Sequence, residues 1–87
     1  MSQKLFAFAV RDSKAETYGT PMFFATKGMA TRTFEDQLSN PESLITKHPE
    51  DFCLFLIGEY DQDNAKFTPL IPPESLGLAI DYKVPEK

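Results

Sequence analysis

The sequence predicts an α+β fold: a small, mostly antiparallel sheet of four to five strands, one main helix and short helical turns. Three observations predict it. Lys4–Arg11 and Phe52–Tyr60 carry apolar residues with the two-residue period of strands. Only Thr26–Ser39 carries the helical period. Proline, glycine, asparagine and aspartate separate these segments at short intervals. The chain has 87 residues, enough for one domain and too few for two. That domain is expected to span residues 1–84, with 85–87 as a frayed tail.

In Lys4–Arg11 (KLFAFAVR), Phe6, Phe8 and Val10 fall on one face and Leu5, Ala7 and Ala9 on the other. This is a strand with a bulky face and a small-residue face. Arg11–Thr20 is polar and reaches Gly19, which suits a loop or loose hairpin. Pro21–Thr26 reads as a second strand with proline at its start, where proline is tolerated. In Thr26–Ser39, Ala30, Phe34 and Leu38 recur at four-residue spacing and form one apolar stripe. Asn40-Pro41 ends that helix and opens a short helical turn anchored inward by Leu44 and Ile45. His48–Asp51 is a turn. Phe52–Tyr60 (FCLFLIGEY) is apolar on both faces, as a central strand covered on both sides would be. Asp61–Lys66 is a hairpin loop leading to a strand at Phe67–Leu70. Pro72–Leu76 reads as another short turn, and Leu78–Val84 as a final strand. The tetrapeptide PESL occurs at Pro41–Leu44 and Pro73–Leu76 as the same helix-start grammar used twice.

Composition narrows the function. The formal net charge is −4, whereas nucleic-acid binders usually carry a basic excess that neutralises phosphates. Any DNA binding must come from a local cluster or from stacking. Cys53 is the one cysteine, so no intrachain disulfide forms and a reducing compartment suits the chain. The apolar run Leu5–Val10 is too short for a secretion signal, and nothing approaches the ~18 apolar residues of a membrane span. The cytoplasm is the expected location.

No catalytic constellation emerges. Cys53 lies in an apolar strand, where a thiol is inert. His48 is a lone turn histidine. The acidic loop Glu59, Asp61, Asp63 lacks the glycine and the bidentate glutamate of a calcium loop. There is no glycine-rich phosphate loop and no zinc pattern. The protein is expected to be no enzyme and to need no cofactor or metal. The basic residues are more informative: Arg11, Lys14, Lys27 and Arg32 all fall in the first third, with Tyr18 and Phe23 or Phe24 among them. Basic groups interleaved with aromatics bind single-stranded nucleic acid by backbone attraction and base stacking. The plain alternative is a solvated face over ordinary core aromatics, which the charge balance favours.

The run RDSKAETYGTPMFFATKGMATRTF, followed by HPEDFCLFLIGEYD and the hairpin to KFTPL, resembles the small nonstructural protein of gokushoviruses, microviruses with circular single-stranded DNA. The resemblance rests on Asp12, Lys14, Ala15, Tyr18, Pro21 and Phe23; on Arg32 and Phe34; and on Pro49–Phe52 with Leu54, Gly58 and Asp61. It covers about Lys4 to Leu70. Family members often carry glycine where this chain has Ala65. The resemblance implies a DNA-binding or nonstructural protein acting in the switch from double-stranded replication to single-stranded synthesis and packaging, in the bacterial host. It brings no catalytic residues.

Two functions therefore stand side by side. In the first, the protein binds viral DNA, in single-stranded form, through Arg11, Lys14, Tyr18, Lys27 and Arg32. In the second, it is an adaptor that docks on the replication initiator, host replication machinery or procapsid through Glu50-Asp51 and the hairpin Glu59–Asp63. The acidic balance favours the second, and the resemblance favours the first. The doubly apolar strand adds an expectation of a homodimer or higher oligomer, because one helix covers only one face of the sheet.

Overall fold

The computed structural model describes residues 3–82. One antiparallel sheet organises the chain. It is built from β1 (Lys4–Asp12), β2 (Thr17–Tyr18), β3 (Met22–Phe24), β4 (Phe52–Asp61) and β5 (Lys66–Leu78). The order is β2-β1-β4-β5, and β3 also pairs with β1. β4 is therefore central, as its apolar run predicts. The helix α1 (Lys27–Asp36) continues as a 3₁₀ turn, Gln37–Ser39. Two single turns follow elsewhere, α2 (Leu44–Lys47) and α3 (Ala79–Tyr82), with a 3₁₀ turn at Pro49–Asp51.

Thr26 starts α1 from an extended conformation, its hydroxyl accepting from the Met29 amide at 3.1 Å. Such a cap satisfies one of the amides that a helix start leaves without a partner. The stripe then packs as expected. Ala30 and Phe34 are buried against Phe8, Leu54 and Leu56, with Leu38 at the margin. Helix and sheet thus enclose one small core on the face that carries Phe6, Phe8 and Val10. Towards the β4–β5 hairpin this same face turns polar, with Lys4 and Glu59 3.8 Å apart. The helix covers only part of the sheet, and the molecule is elongated at 47 × 27 × 19 Å.

Four expectations are corrected. Pro72–Leu76 is no separate turn: it lies inside β5, where Glu74 pairs with Leu56 and Ser75 with Phe55. The prolines are tolerated because β5 is an edge strand. Between the partners of Leu56 and Gly58, four residues (Leu70 to Pro73) face the single Ile57, so β5 bulges outward and leaves Ile71 83% exposed. Residues 79–82 form α3 rather than a strand; the remainder of the expected strand, and the tail, lie outside the described residues. Gly77 breaks the extended run at φ +117°, and the Asp81 carboxylate accepts from the Leu78 amide at 3.1 Å. Leu44 does not anchor inward: α2 begins three residues later than the Pro41 start expected, capped by Ser43, and leaves Leu44 61% exposed while Ile45 packs on the core. Pro21, finally, precedes β3 rather than opening it.

Candidate nucleic-acid interface

Strand pairing decides which residues share a face, since directly paired residues point to the same side. On β1, Leu5, Ala7, Ala9 and Arg11 point away from α1, and their partners do likewise. Arg11 pairs with Tyr18 and Cys53, Ala9 with Phe55, Ala7 with Phe23 and Gly58, and Leu5 with Tyr60. Tyr60 in turn pairs with Phe67. Five aromatic residues therefore occupy the open face of the sheet. They form two edge-to-face contacts: Tyr18 with Phe55 at 5.5 Å between ring centres, and Phe23 with Tyr60 at 5.6 Å.

The open face also explains how the second side of β4 is covered. Ala7 and Ala9 are 0% and 1% exposed although no helix lies over them. Their neighbours on that side are the rings of Phe23 and Phe55. Gly58 lies under Phe67, and a β-carbon there would stand 2.7 Å from that ring. Small residues form a floor and aromatic residues form the surface. Tyr18, Phe23 and Phe67 keep 45%, 44% and 42% of their surface exposed.

The five residues predicted to bind nucleic acid do not form one patch. Arg11 and Tyr18 are joined: the guanidinium carbon lies 5.8 Å from the ring centre, within cation–π range. Lys14 sits at the tip of the β1–β2 hairpin, beside an open cavity of about 440 Å³ that also borders Asp12, His48, Glu50 and Asp51. Lys27 and Arg32 belong to α1, on the opposite side of the sheet. Lys27 is paired with Glu74 of β5 at 3.3 Å. Sequence reasoning missed Phe55, Tyr60 and Phe67 as surface rings, because strand periodicity alone does not say which face a helix will cover. Their positions on the small-residue side of the sheet are the signal that finds them.

The electrostatic arrangement is one-sided. Asp12, Glu59, Asp61 and Glu74 pair with residues of the helix-covered side. Among the described residues of the strands, no aspartate or glutamate occupies an open-face position. Arg11 is the charged residue there. Cys53 shares this face, half-buried, with its sulfur 3.3 Å from the Ser75 hydroxyl. At the end of β4, possible ligand atoms of His48, Glu50 and Asp51 lie within 4.8 Å of one another on an exposed turn. The sequence presents those residues as a turn and Glu50-Asp51 as adaptor contacts, with no metal-ligand spacing. No helix among the described residues is long and apolar enough to cross a membrane.

Comparison with known proteins places the chain among phage proteins. The family described as "Phage ORF5 protein" matches residues 5–82. The chain is 33% identical over 70 residues to "Protein ORF5" of Chlamydia phage 1, covering 76% of this chain and 73% of that relative. No solved structure matches.

Proposed function

Because the chain belongs to the phage ORF5 protein family, we propose that it is a phage nonstructural protein that binds single-stranded DNA in the host cytoplasm, in the switch from genome replication to single-strand synthesis and packaging. The observation that supports this most is the open sheet face, where Arg11 lies over Tyr18 and Tyr18 against Phe55. A guanidinium beside an exposed ring offers a phosphate partner and a stacking surface together. The absence of strand carboxylates on that face removes local repulsion of a polyanion, despite the net charge of −4. The test is fluorescence anisotropy of a labelled oligo-dT at low salt. Wild type should bind, and Arg11→Gln and Tyr18→Leu should each weaken binding about fivefold or more. No binding at about a hundred micromolar protein, a deliberately generous limit for weak non-specific association, would remove the proposal.

The adaptor reading keeps one observation in its favour. The cavity bordered by Asp12, Glu50, Asp51 and the exposed Leu44 is acidic with an apolar edge. Such a surface suits a basic, DNA-handling protein such as a replication initiator, a host replication protein or a procapsid component. Capture of such a partner that is lost in Glu50→Lys/Asp51→Lys, while oligonucleotide binding is unchanged, would favour it.

A further inference from the structure

Resting on the single-strand reading, we infer that the bound strand does not end at Arg11 and Tyr18 but continues onto a second aromatic platform, formed by Phe23, Tyr60 and Phe67, which stacks further unpaired bases.

The two platforms share one face. Tyr18 and Phe55 lie at the rungs of Arg11 and Ala9; Phe23 and Tyr60 lie at those of Ala7 and Leu5, with Phe67 beside Tyr60. Four residues along β1 separate corresponding rungs, about 13 Å at the rise of a strand. At about 3.4 Å per stacked base, that distance spans roughly four nucleotides. Beneath the rings of both platforms the floor is Ala7, Ala9 and Gly58, all buried, so the rings themselves form the surface that a base would meet. Phe23 and Phe67 keep 44% and 42% of their surface exposed, and the Phe23–Tyr60 contact is edge-to-face at 62°. Rings held at an angle to each other keep surface available for a third ring.

Charge favours a nucleic-acid strand as the occupant. The sheet's carboxylates point to the other side, and the open face carries Arg11 at one end. A strand lying from Arg11 towards Tyr60 meets no negative group of the sheet along this path. Bases inside a duplex hide their faces from protein rings, so this surface selects unpaired nucleotides.

The experiment measures anisotropy with labelled dT2, dT4 and dT8, and with a duplex of the same length as dT8. The proteins are wild type, Phe23→Leu, Phe67→Leu and Phe23→Tyr. Leucine keeps apolar volume but removes the stacking ring; tyrosine keeps the ring and controls for folding, which circular dichroism checks. Affinity should rise about tenfold from dT2 to dT4. Each leucine variant should lose about fivefold or more for dT4 and dT8, consistent with one stacking contact, with little change for dT2. Phe23→Tyr should bind as wild type does, and the duplex should compete poorly. If wild type binds dT8 but both leucine variants bind it equally well, the second platform is wrong while the single-strand reading stands. If wild type binds no oligonucleotide, both fail. Light scattering covers the other occupant: a wild-type dimer that the leucine variants dissociate, and that dT8 does not disrupt, would assign this face to a second copy and overturn the inference.

Discussion

Asp12 and Asp61 close their hairpins by the same device. The Asp12 carboxylate accepts from the Lys14 amide at 2.9 Å and its carbonyl from the Glu16 amide at 2.7 Å. Asp61 does likewise, with the Asp63 amide at 2.9 Å and the Ala65 amide at 2.8 Å. Each turn closes on a residue in the left-handed region, Glu16 at φ +59° and Ala65 at φ +60°. A β-carbon there crowds the following carbonyl at a cost of about 1 kcal/mol or more. Ala65→Gly removes that strain but gives the unfolded chain more freedom. A net gain of about 0.5 kcal/mol is expected, read as a higher urea midpoint at constant m-value. Gly58→Ala should act in the opposite direction. Its β-carbon would lie 2.6 Å from the Thr68 carbonyl oxygen, which is backbone and yields poorly. A loss of about 1–3 kcal/mol is expected, as for other overpacked sites.

Among the elements, α3 shows how a few contacts override a local pattern. Leu78 to Tyr82 alternates like a strand, yet the backbone turns after Gly77 and buries Ala79 completely. Tyr82 then closes the turn. Its hydroxyl donates to the Leu76 carbonyl, and its ring meets Phe34 of α1 edge-on at 5.7 Å. Burial holds the Tyr82 phenol above its usual pKa of 10.0, and the negative charges of Asp81, Cys53 and Glu35 act in the same direction. The unfolded chain therefore releases this proton first as the pH rises past 10, and the phenolate has no hydrogen to donate to Leu76. Linkage then requires stability to fall above about pH 10. Tyr82→Phe should lose about 1 kcal/mol at neutral pH, the net worth of one hydrogen bond. It should also flatten the alkaline decline, which thermal melts from pH 7 to 11 would show.

At the scale of the whole molecule, the sheet separates groups that lie close together in the chain. Arg11 and Lys14 stand at the β1–β2 end, while Lys27 and Arg32 ride on the helix across the sheet. A strand lying on the open face meets at most the first pair. The logarithm of affinity should then fall against the logarithm of salt with a slope of about −0.7 to −1.4, the value for one or two phosphate contacts on single strands. A slope near about −2.8 would instead mean that all four cations track the backbone. Lys27→Gln and Arg32→Gln should leave the slope unchanged. The elongated form belongs to the same arrangement. The radius of gyration is 13.8 Å, against about 12 Å for a compact chain of this length, because α1 covers only part of the sheet.

The sequence by itself determined the α+β class, the central strand β4, the helix with its Ala30–Phe34–Leu38 stripe and the hairpin loop that starts at Asp61; for Arg11–Thr20 it left loop and hairpin open. Each rests on period or turn chemistry within a few residues. The two copies of PESL mark the limit of such local information. Ser43 and Ser75 both accept from the amide two residues ahead, at 3.2 and 3.4 Å. Only the first copy leads into a helix, because pairing with Phe55 and Leu56 draws the second into β5. The candidate site was legible in part for the same reason. Arg11 and Tyr18 meet across one rung of a hairpin, within local reach. The separation of Lys27 and Arg32 from them, and the gathering of Phe55, Phe23, Tyr60 and Phe67, depend on which face of the sheet the helix buries. That is settled by tertiary packing: α1 seals the side of Phe8, Leu54 and Leu56, and the small-residue side is left to carry the rings.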